Sequence, residues 1–398
     1  MLKDLRFMYD GFAISIRGYK HIVENIARQD NAMFHVDPEG WAMAAVADGH
    51  GGDEYFRSHI GSRFAVESAL LSIKDCFHEK GIFLEALRSN PDEILRRLES
   101  NIINNWNTLV GRFNDDPQAF DWNSLPAGVY EAVKTDADAP IQNGICSEWE
   151  KAWMAEHDVG IREDHIERMY GCTLLAAVMA PEFCLSLQIG DGCCVLAYPN
   201  GDAEMMIPPD KSKPRNLTDS LCENTALKKF RYSLVLYKDQ DSEPVEAETV
   251  NAPETDAVTS CTAEAVSGIK ITDAVETAAE TEIPDEQEFA VDTPETECEA
   301  EPLLEMEATT TRESATIPAG IILSTDGLLN SFEDEPYLES FLRFNRRVLG
   351  NMETSVRNDF SGKLETHLNE RSEKGSKDDI SIAMIFGGDI DFEAVKPG

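Results

Sequence analysis

Residues 44–52 read Ala44-Ala45-Val46-Ala47-Asp48-Gly49-His50-Gly51-Gly52, an apolar run that stops at an aspartate and a glycine-rich turn. A short apolar run bounded by a turn signal is the pattern of a buried strand, and a carboxylate at its end is held at the edge of a core. Asp48 is either placed there for chemistry or spent on capping the helix that follows, since Asp and Gly are also ordinary cap and turn residues. The stretch just upstream bears on that choice. Ala32-Met33-Phe34-His35-Val36 and Trp41-Ala42-Met43-Ala44-Ala45-Val46 read as two strands joined by the turn Asp37-Pro38-Glu39-Gly40. In an antiparallel hairpin the start of the first strand lies beside the end of the second, which sets Asp30 next to Asp48. Two adjacent carboxylates repel unless a cation or a shared proton sits between them.

Moving outward, residues 12–17 read as an edge strand ending at Gly18 and followed by a loop, and residues 53–73 carry the spacing of an amphipathic helix packed on a sheet. Residues 81–168 are mainly helical, with a break at Asp115-Asp116-Pro117 and no chemical motif. A second β-rich block follows, with strands at 173–179, 183–189 and 193–198, the second hairpin turning on Gly190-Asp191-Gly192. Residues 203–207 and 229–237 read as further strands. Ala319-Gly320-Ile321-Ile322-Leu323-Ser324-Thr325-Asp326-Gly327 repeats the opening theme, a buried strand ending in Asp-Gly. Helical patterns at 337–348 and 356–368 lead to Lys377-Asp378-Asp379-Ile380-Ser381-Ile382, where the carboxylates precede the strand instead.

The chain has 398 residues, 74 acidic and 35 basic, for a formal net charge of -39. That balance disfavours nucleic acid and anionic membranes and favours cations and basic partners. The first residues, Met1-Leu2-Lys3-Asp4-Leu5-Arg6, place charges where a secretory leader would be apolar, and no stretch is long and apolar enough to span a bilayer, so a soluble, cytoplasmic protein is expected. The nine cysteines lie mostly in apolar runs without C-x-x-C spacing, as reduced core residues do. Residues 239–312 shift to Glu, Thr, Ala, Asp, Pro and Val, with Lys270 the only basic residue before Arg312. Such a segment buries too little apolar surface to offset its chain entropy and is expected to be disordered. It reads as an insert between two parts of one folded body, 1–238 and 313–398. It is either an autoinhibitory arm, an arm that binds a basic partner, or a solvating linker in a surface loop.

Asp30, Asp48, Asp326 and Asp378 thus all sit where a core strand begins or ends, without Lys or Arg spaced to neutralise all of them. Such an edge calls for a cation. Carboxylate oxygens suit Mg²⁺ or Mn²⁺, whereas zinc prefers His or Cys. Two such ions about 4 Å apart can share a water, lower its pKa and aim it at phosphorus, the chemistry of phosphoester hydrolysis without a covalent intermediate.

The ordered set Gln29-Asp30, Val46-Ala47-Asp48-Gly49-His50-Gly51-Gly52, Gly171-Cys172-Thr173, Ile189-Gly190-Asp191, Ser324-Thr325-Asp326-Gly327 and Asp378-Asp379-Ile380-Ser381 resembles the motifs of the metal-dependent type 2C serine/threonine protein phosphatases, most like their bacterial branch. The resemblance runs from about residue 14 to 386, interrupted by the acidic insert. It implies an α+β fold, a four-layer α-β-β-α sandwich of two antiparallel β-sheets flanked by helices, with two Mn²⁺ or Mg²⁺ ions in a channel at one edge and a phosphorylated protein as substrate. By position, Asp48 would bridge the metals, the Gly49 carbonyl would complete one shell, and Asp326 and Asp378 would hold the other ion. Asp30 would stand behind the ligands or bind through water, Asp191 would be mainly structural, and His50 is the candidate proton donor to the leaving alkoxide or a brace of the turn.

Three positions depart from the family pattern. Asn25 stands where eukaryotic members carry a phosphate-binding arginine, leaving Arg28, Arg17 or His21 to substitute, with Arg28 the catalytic candidate. Arg168 stands where members with a third metal carry aspartate, so no third ion is expected unless Asp164 or Glu167 supplies its site. Asp379 replaces the usual Asn and is expected to brace. A phosphatase is the leading reading; a catalytically weak pseudophosphatase that binds phosphoproteins is the alternative, and a phosphatase of small molecules is a third.

Overall fold

The computed structural model describes residues 9–126, 147–161, 163–208, 218–238, 310–332, 337–388 and 390–396. The chain divides into two units, Met1–Gln240 with Glu307–Gly398 and Asp241–Met306. The second unit, and with it most of the acidic insert and its expected disorder, lies outside the described residues.

The strands are β1 (Tyr9–Ile16), β2 (Asn31–Asp37), β3 (Trp41–Ala47), β4 (Leu174–Ala180), β5 (Phe183–Ile189), β6 (Cys193–Ala197), β7 (Ala203–Met205), β8 (Arg231–Tyr237), β9 (Thr310–Ser314), β10 (Gly320–Ser324) and β11 (Ile380–Gly387). They form a five-stranded sheet, β1-β11-β10-β6-β7, and a six-stranded sheet, β2-β3-β4-β5-β8-β9. The helices are α1 (Tyr19–Glu24), α2 (Ser58–Phe77), α3 (Lys80–Ser89), α4 (Pro91–Asp115), α5 (Glu148–His157), α6 (Ala226–Lys229), α7 (Asp326–Leu329), α8 (Tyr337–Leu349), α9 (Thr354–Lys374) and α10 (Phe392–Val395).

Side chains alternate across a strand, and here both faces are covered, which is why the central strands read as unbroken apolar runs. On β3, Ala42, Ala44 and Val46 join the layer between the sheets, with Leu175, Ala177, Ile321, Leu323, Ala383 and Ile385. Trp41, Met43, Ala45 and Ala47 point the other way, into a core with Phe64, Leu70 and Trp106 from α2 and α4. On the far side of the five-stranded sheet, Ile382, Met384 and Phe386 of β11 pack against Phe341, Leu364 and Leu368 of α8 and α9. The order of layers is helices, sheet, sheet, helices, as the family resemblance implied.

Three details differ from the sequence reading. The loop after Gly18 contains α1, which buries only His21 and leaves Tyr19, Ile22 and Val23 exposed, so no helical stripe announces it. The amphipathic helix expected over 53–73 is a 3₁₀ turn at Asp53–Tyr55 followed by α2, buried on almost every face because it lies between the sheet and α4. The folded body also reaches back to Thr310, since β9 pairs in parallel with β8 from Ser233↔Thr310 to Tyr237↔Ser314. That parallel edge is the exception in otherwise antiparallel sheets, and its exposed Thr and charged side chains carry no apolar signal.

Candidate active site

Four strand ends meet at one edge of the sandwich. The β2–β3 register pairs Asn31 with Ala47, so Asp30 and Asp48 flank the same end, as the hairpin reading required. In the other sheet Ser324 pairs with Ile382, which brings Asp326, just past β10, near Asp378 and Asp379, just before β11. Asp48 is fixed through its backbone: its N–H donates to Thr173 Oγ1 (3.0 Å), and its carbonyl accepts from the N–H of Thr173 (2.8 Å). The next residue has to be glycine, because a Cβ at position 49 would lie 2.7 Å from the Gln29 carbonyl oxygen and 2.8 Å from that of Ser58. The same holds at position 327, where a Cβ would lie 2.0 Å from the Asp379 carbonyl oxygen.

Two hydrogen-bond systems lock the two sheets together here. The Ser381 N–H donates to Thr325 Oγ1 (3.0 Å), whose hydroxyl donates to Asp30 Oδ2 (2.6 Å). Asp379 is buried and its two oxygens accept from the Gly18 N–H (2.5 Å), His21 Nδ1 (2.8 Å), Gln29 N–H (2.5 Å) and Asp30 N–H (3.2 Å). Its side chain is thereby spent on the loop carrying Gln29 and Asp30. Gln29 in turn donates to Ser58 Oγ (2.8 Å) and to the His50 carbonyl (3.2 Å).

The electrostatics reflect this crowding. Burial first, then the charges of Asp30, Asp326, Asp378 and Asp191, push the Asp48 carboxyl well above its ordinary value. Burial and the charge of Asp379 do the same to Asp30, against the pull of the Thr325 hydroxyl. Asp326 is pushed up to about 7 by burial and Asp191, although hydrogen bonds from Asp48 and Asn330 hold it lower than it would otherwise be. Asp378 is raised chiefly by desolvation, although His21 pulls it down and its side chain is 54% exposed. Asp191, expected to be mainly structural, therefore belongs electrostatically to this cluster.

The candidate phosphate-binding residues are placed differently. His21 is only 4% exposed, with Nδ1 on Asp379 and Nε2 3.8 Å from Asp378, so it braces the acidic edge from below. Arg17 donates to the His21 carbonyl (2.8 Å), and Arg28 spends Nε on the Asp30 carbonyl (3.1 Å) and Nη1 on the Ser15 carbonyl (3.2 Å). His50 is half-buried, its ring edge-on to Tyr55 at 4.8 Å between centroids. Burial and the nearby Arg168 lower it to about 4, which leaves a neutral imidazole at pH 7. Thr325, quoted with its motif but given no role there, and the Tyr55–Arg168 pair, of which Arg168 was noticed only as a departure, also belong to the neighbourhood.

Among the described residues no three His, Cys, Asp or Glu side chains already stand at the mutual spacing of a single metal cage. An ion of the Mg²⁺ type needs only one or two carboxylates, with carbonyls and water filling the remainder. The donor set here is all oxygen, and every charge acting strongly on Asp48 is negative, so the residues fit hard divalent ions.

Residues 17–369 match the model of the family described as Protein phosphatase 2C. The chain belongs to that family, a class of serine/threonine phosphoprotein phosphatases. No curated protein matches. Solved structures similar to it include serine-threonine phosphatase 2C from Toxoplasma gondii (11% identity, TM-score 0.44, covering 96% of this chain and 95% of that one) and the serine/threonine phosphatase Stp1 from Staphylococcus aureus (10%, 0.40, 97% and 98%). A third is the catalytic domain of the serine threonine protein phosphatase PstP in complex with two manganese ions (11%, 0.40, 96% and 98%).

Proposed function

We propose that this protein is a Mn²⁺- or Mg²⁺-dependent phosphatase that removes phosphate from phosphoserine and phosphothreonine of proteins. The observation that carries the reading is the carboxylate cluster of Asp30, Asp48, Asp326 and Asp378 at four strand ends, raised in pKa by burial and by the charges of neighbouring aspartates. Divalent ions bound there would supply a water of lowered pKa and neutralise charge on the phosphoryl oxygens. In this proposal Asp48, the Gly49 carbonyl, Asp326 and Asp378 would hold the ions, and Asp30, oriented by Thr325, would act behind them through water.

The rest of the work falls to the chain itself. Thr173 and Gly171 hold the Asp48–His50 turn, and Asp379 holds the loop of Arg28, Gln29 and Asp30 at the channel edge. His50, neutral at pH 7, serves as a hydrogen-bond donor toward the leaving oxygen. The proposal places the protein in the cytoplasm, in keeping with its free cysteines at 76, 172, 184, 193, 194 and 222. It also leaves the acidic insert as a regulatory arm or a binding segment for a basic partner.

The test is hydrolysis of a phosphoserine or phosphothreonine peptide with Mn²⁺, its loss with EDTA, and Mn²⁺ binding by calorimetry. Asp48→Asn with Asp378→Asn is expected to lower kcat at least about a hundredfold and to weaken Mn²⁺ binding. Undiminished turnover in that double variant would overturn the assignment. Phosphopeptide binding without turnover or Mn²⁺ uptake in the wild type would favour the pseudophosphatase instead.

A further inference from the structure

The site as described has many negative groups and few cations with hydrogen-bonding capacity left for an incoming phosphate. Arg28 and Arg17 hold backbone carbonyls, and His21 is buried on Asp379. Arg168 is different. It lies on the 3₁₀ turn Ile166–Tyr170, immediately before the Gly171-Cys172-Thr173 segment that holds the metal-loop backbone: the His50 N–H donates to the Gly171 carbonyl (3.0 Å), and Gly49 bridges to Cys172.

The Arg168 guanidinium lies over the Tyr55 ring, 5.0 Å from its centroid, and the same ring meets His50 at 4.8 Å. Position 171 confirms how tightly these groups are gathered, since a Cβ there would lie 2.6 Å from Tyr55 Cδ1 and 3.0 Å from His50 Cδ2. Glu54 takes one nitrogen of the fork, Nη2, at 2.5 Å. Nε is buried without a hydrogen-bond partner among the described residues, and the side chain is 31% exposed. A guanidinium positioned on one nitrogen by a carboxylate, resting on an aromatic face and with Nη1 bonded to no group among the described residues, is suited to contact with a phosphoryl group through its Nη end.

We propose that Arg168 is the phosphate-anchoring residue of this site, with Glu54 and Tyr55 positioning its fork beside His50. It would hold the phosphoryl oxygens of a phosphoprotein substrate and, after cleavage, inorganic phosphate. The assignment rests on the phosphatase reading above for the substrate, but the anion contact itself is tested without turnover.

The probes are inorganic phosphate, titrated calorimetrically into the Mn²⁺-loaded full chain, and a phosphothreonine peptide in steady-state kinetics. Arg168→Ala is expected to weaken phosphate binding and raise KM for the peptide by about tenfold or more, with Mn²⁺ affinity within about twofold of wild type. Arg168→Lys is expected to recover part of the phosphate affinity, since it restores charge without the fork. A residue that only ties the turn to Glu54 would give a different result: a lower Tm in Arg168→Ala, matched by Glu54→Gln, with phosphate affinity and KM unchanged in both. That result overturns the inference. Wild-type turnover with unchanged phosphate binding in Arg168→Ala overturns the inference and leaves the phosphatase standing. Arg168-dependent phosphate binding in a wild type that hydrolyses no phosphopeptide sinks the phosphatase reading and sustains the anion site.

Discussion

Removing the Asp379 carboxylate should loosen the acidic edge from the inside. In Asp379→Ala four donors lose their acceptor: the N–H groups of Gly18, Gln29 and Asp30, and His21 Nδ1. At about 1–1.5 kcal/mol for each bond the loss is about 4–6 kcal/mol, and relief of the repulsion that Asp379 exerts on Asp30 and Asp378 returns about 1. The net expectation, about 3–5 kcal/mol, corresponds to a fall in Tm of about 4–7 °C for a body of this size. Asp379→Asn sorts the bonds further. Its one carbonyl oxygen can keep Gln29 and Asp30, while its NH₂ faces Gly18 and a His21 ring that can switch tautomer and accept. Only the Gly18 N–H is then opposed, so the cost is about 1–2 kcal/mol and a few degrees. The assay is thermal unfolding of the EDTA-treated protein, where metal binding contributes nothing. A drop below about 2 °C in Asp379→Ala, or an Asn variant as damaged as the Ala variant, would refute the hub.

Three further outcomes are expected. Glu99 is 2% exposed and burial raises it from 4.5 to about 7 against the weaker pull of Arg96, so the folded state binds its proton more tightly than the unfolded state does. Stability should then fall as pH rises from about 4.5 to about 7, and Glu99→Gln should flatten that slope and raise Tm at pH 8 in a pH series of melts. His21 is raised above 6.5 because the hydrogen bond and charge of Asp379, with the charge of Asp378, outweigh its burial. Its stabilisation should be complete below pH 6.5 and decline as pH rises through the raised value, a dependence that His21→Gln abolishes in the same assay. The buried pair of Arg57 Nε with Glu150 Oε1 (2.8 Å) fastens α5 to the start of α2, and Glu150→Ala, which leaves the buried guanidinium without its carboxylate though still bonded to Asn114 and Tyr170, should cost about 3 kcal/mol by chemical denaturation.

The parts of the fold legible in the sequence were those where burial on both faces leaves an apolar run cut by Asp-Gly. Residues 41–48 and 320–327 show this, and the hairpin pattern of β2 and β3 alone sets Asp30 beside Asp48. Helix α1 and strand β9 escaped because their identity comes from tertiary contact. The loop around α1 is held by the Tyr19 N–H on Ser372 Oγ (2.9 Å) and by Gly18 on Asp379, and β9 by its ladder with β8, while their own side chains, His21 apart, mostly face solvent. Within the site, single residues at strand ends could be read because their neighbours in sequence mark the strand. Arg168 could be noticed only as a departure, since its significance depends on Tyr55 and His50, more than a hundred positions away in the chain and adjacent in space.

The alanines between the sheets have a consequence for catalysis as well as for packing. Asp30 and Asp48 ride on one sheet and Asp326 and Asp378 on the other, so the distance across the carboxylate edge is set by the thickness of the layer holding Ala42, Ala44, Ala177 and Ala383. One methyl group per residue makes that layer a spacer of fixed gauge. A bulkier side chain at any of the four would prise the sheets apart and widen the seat between the acidic pairs, so the dimensions of the carboxylate edge are written partly in residues that lie away from it.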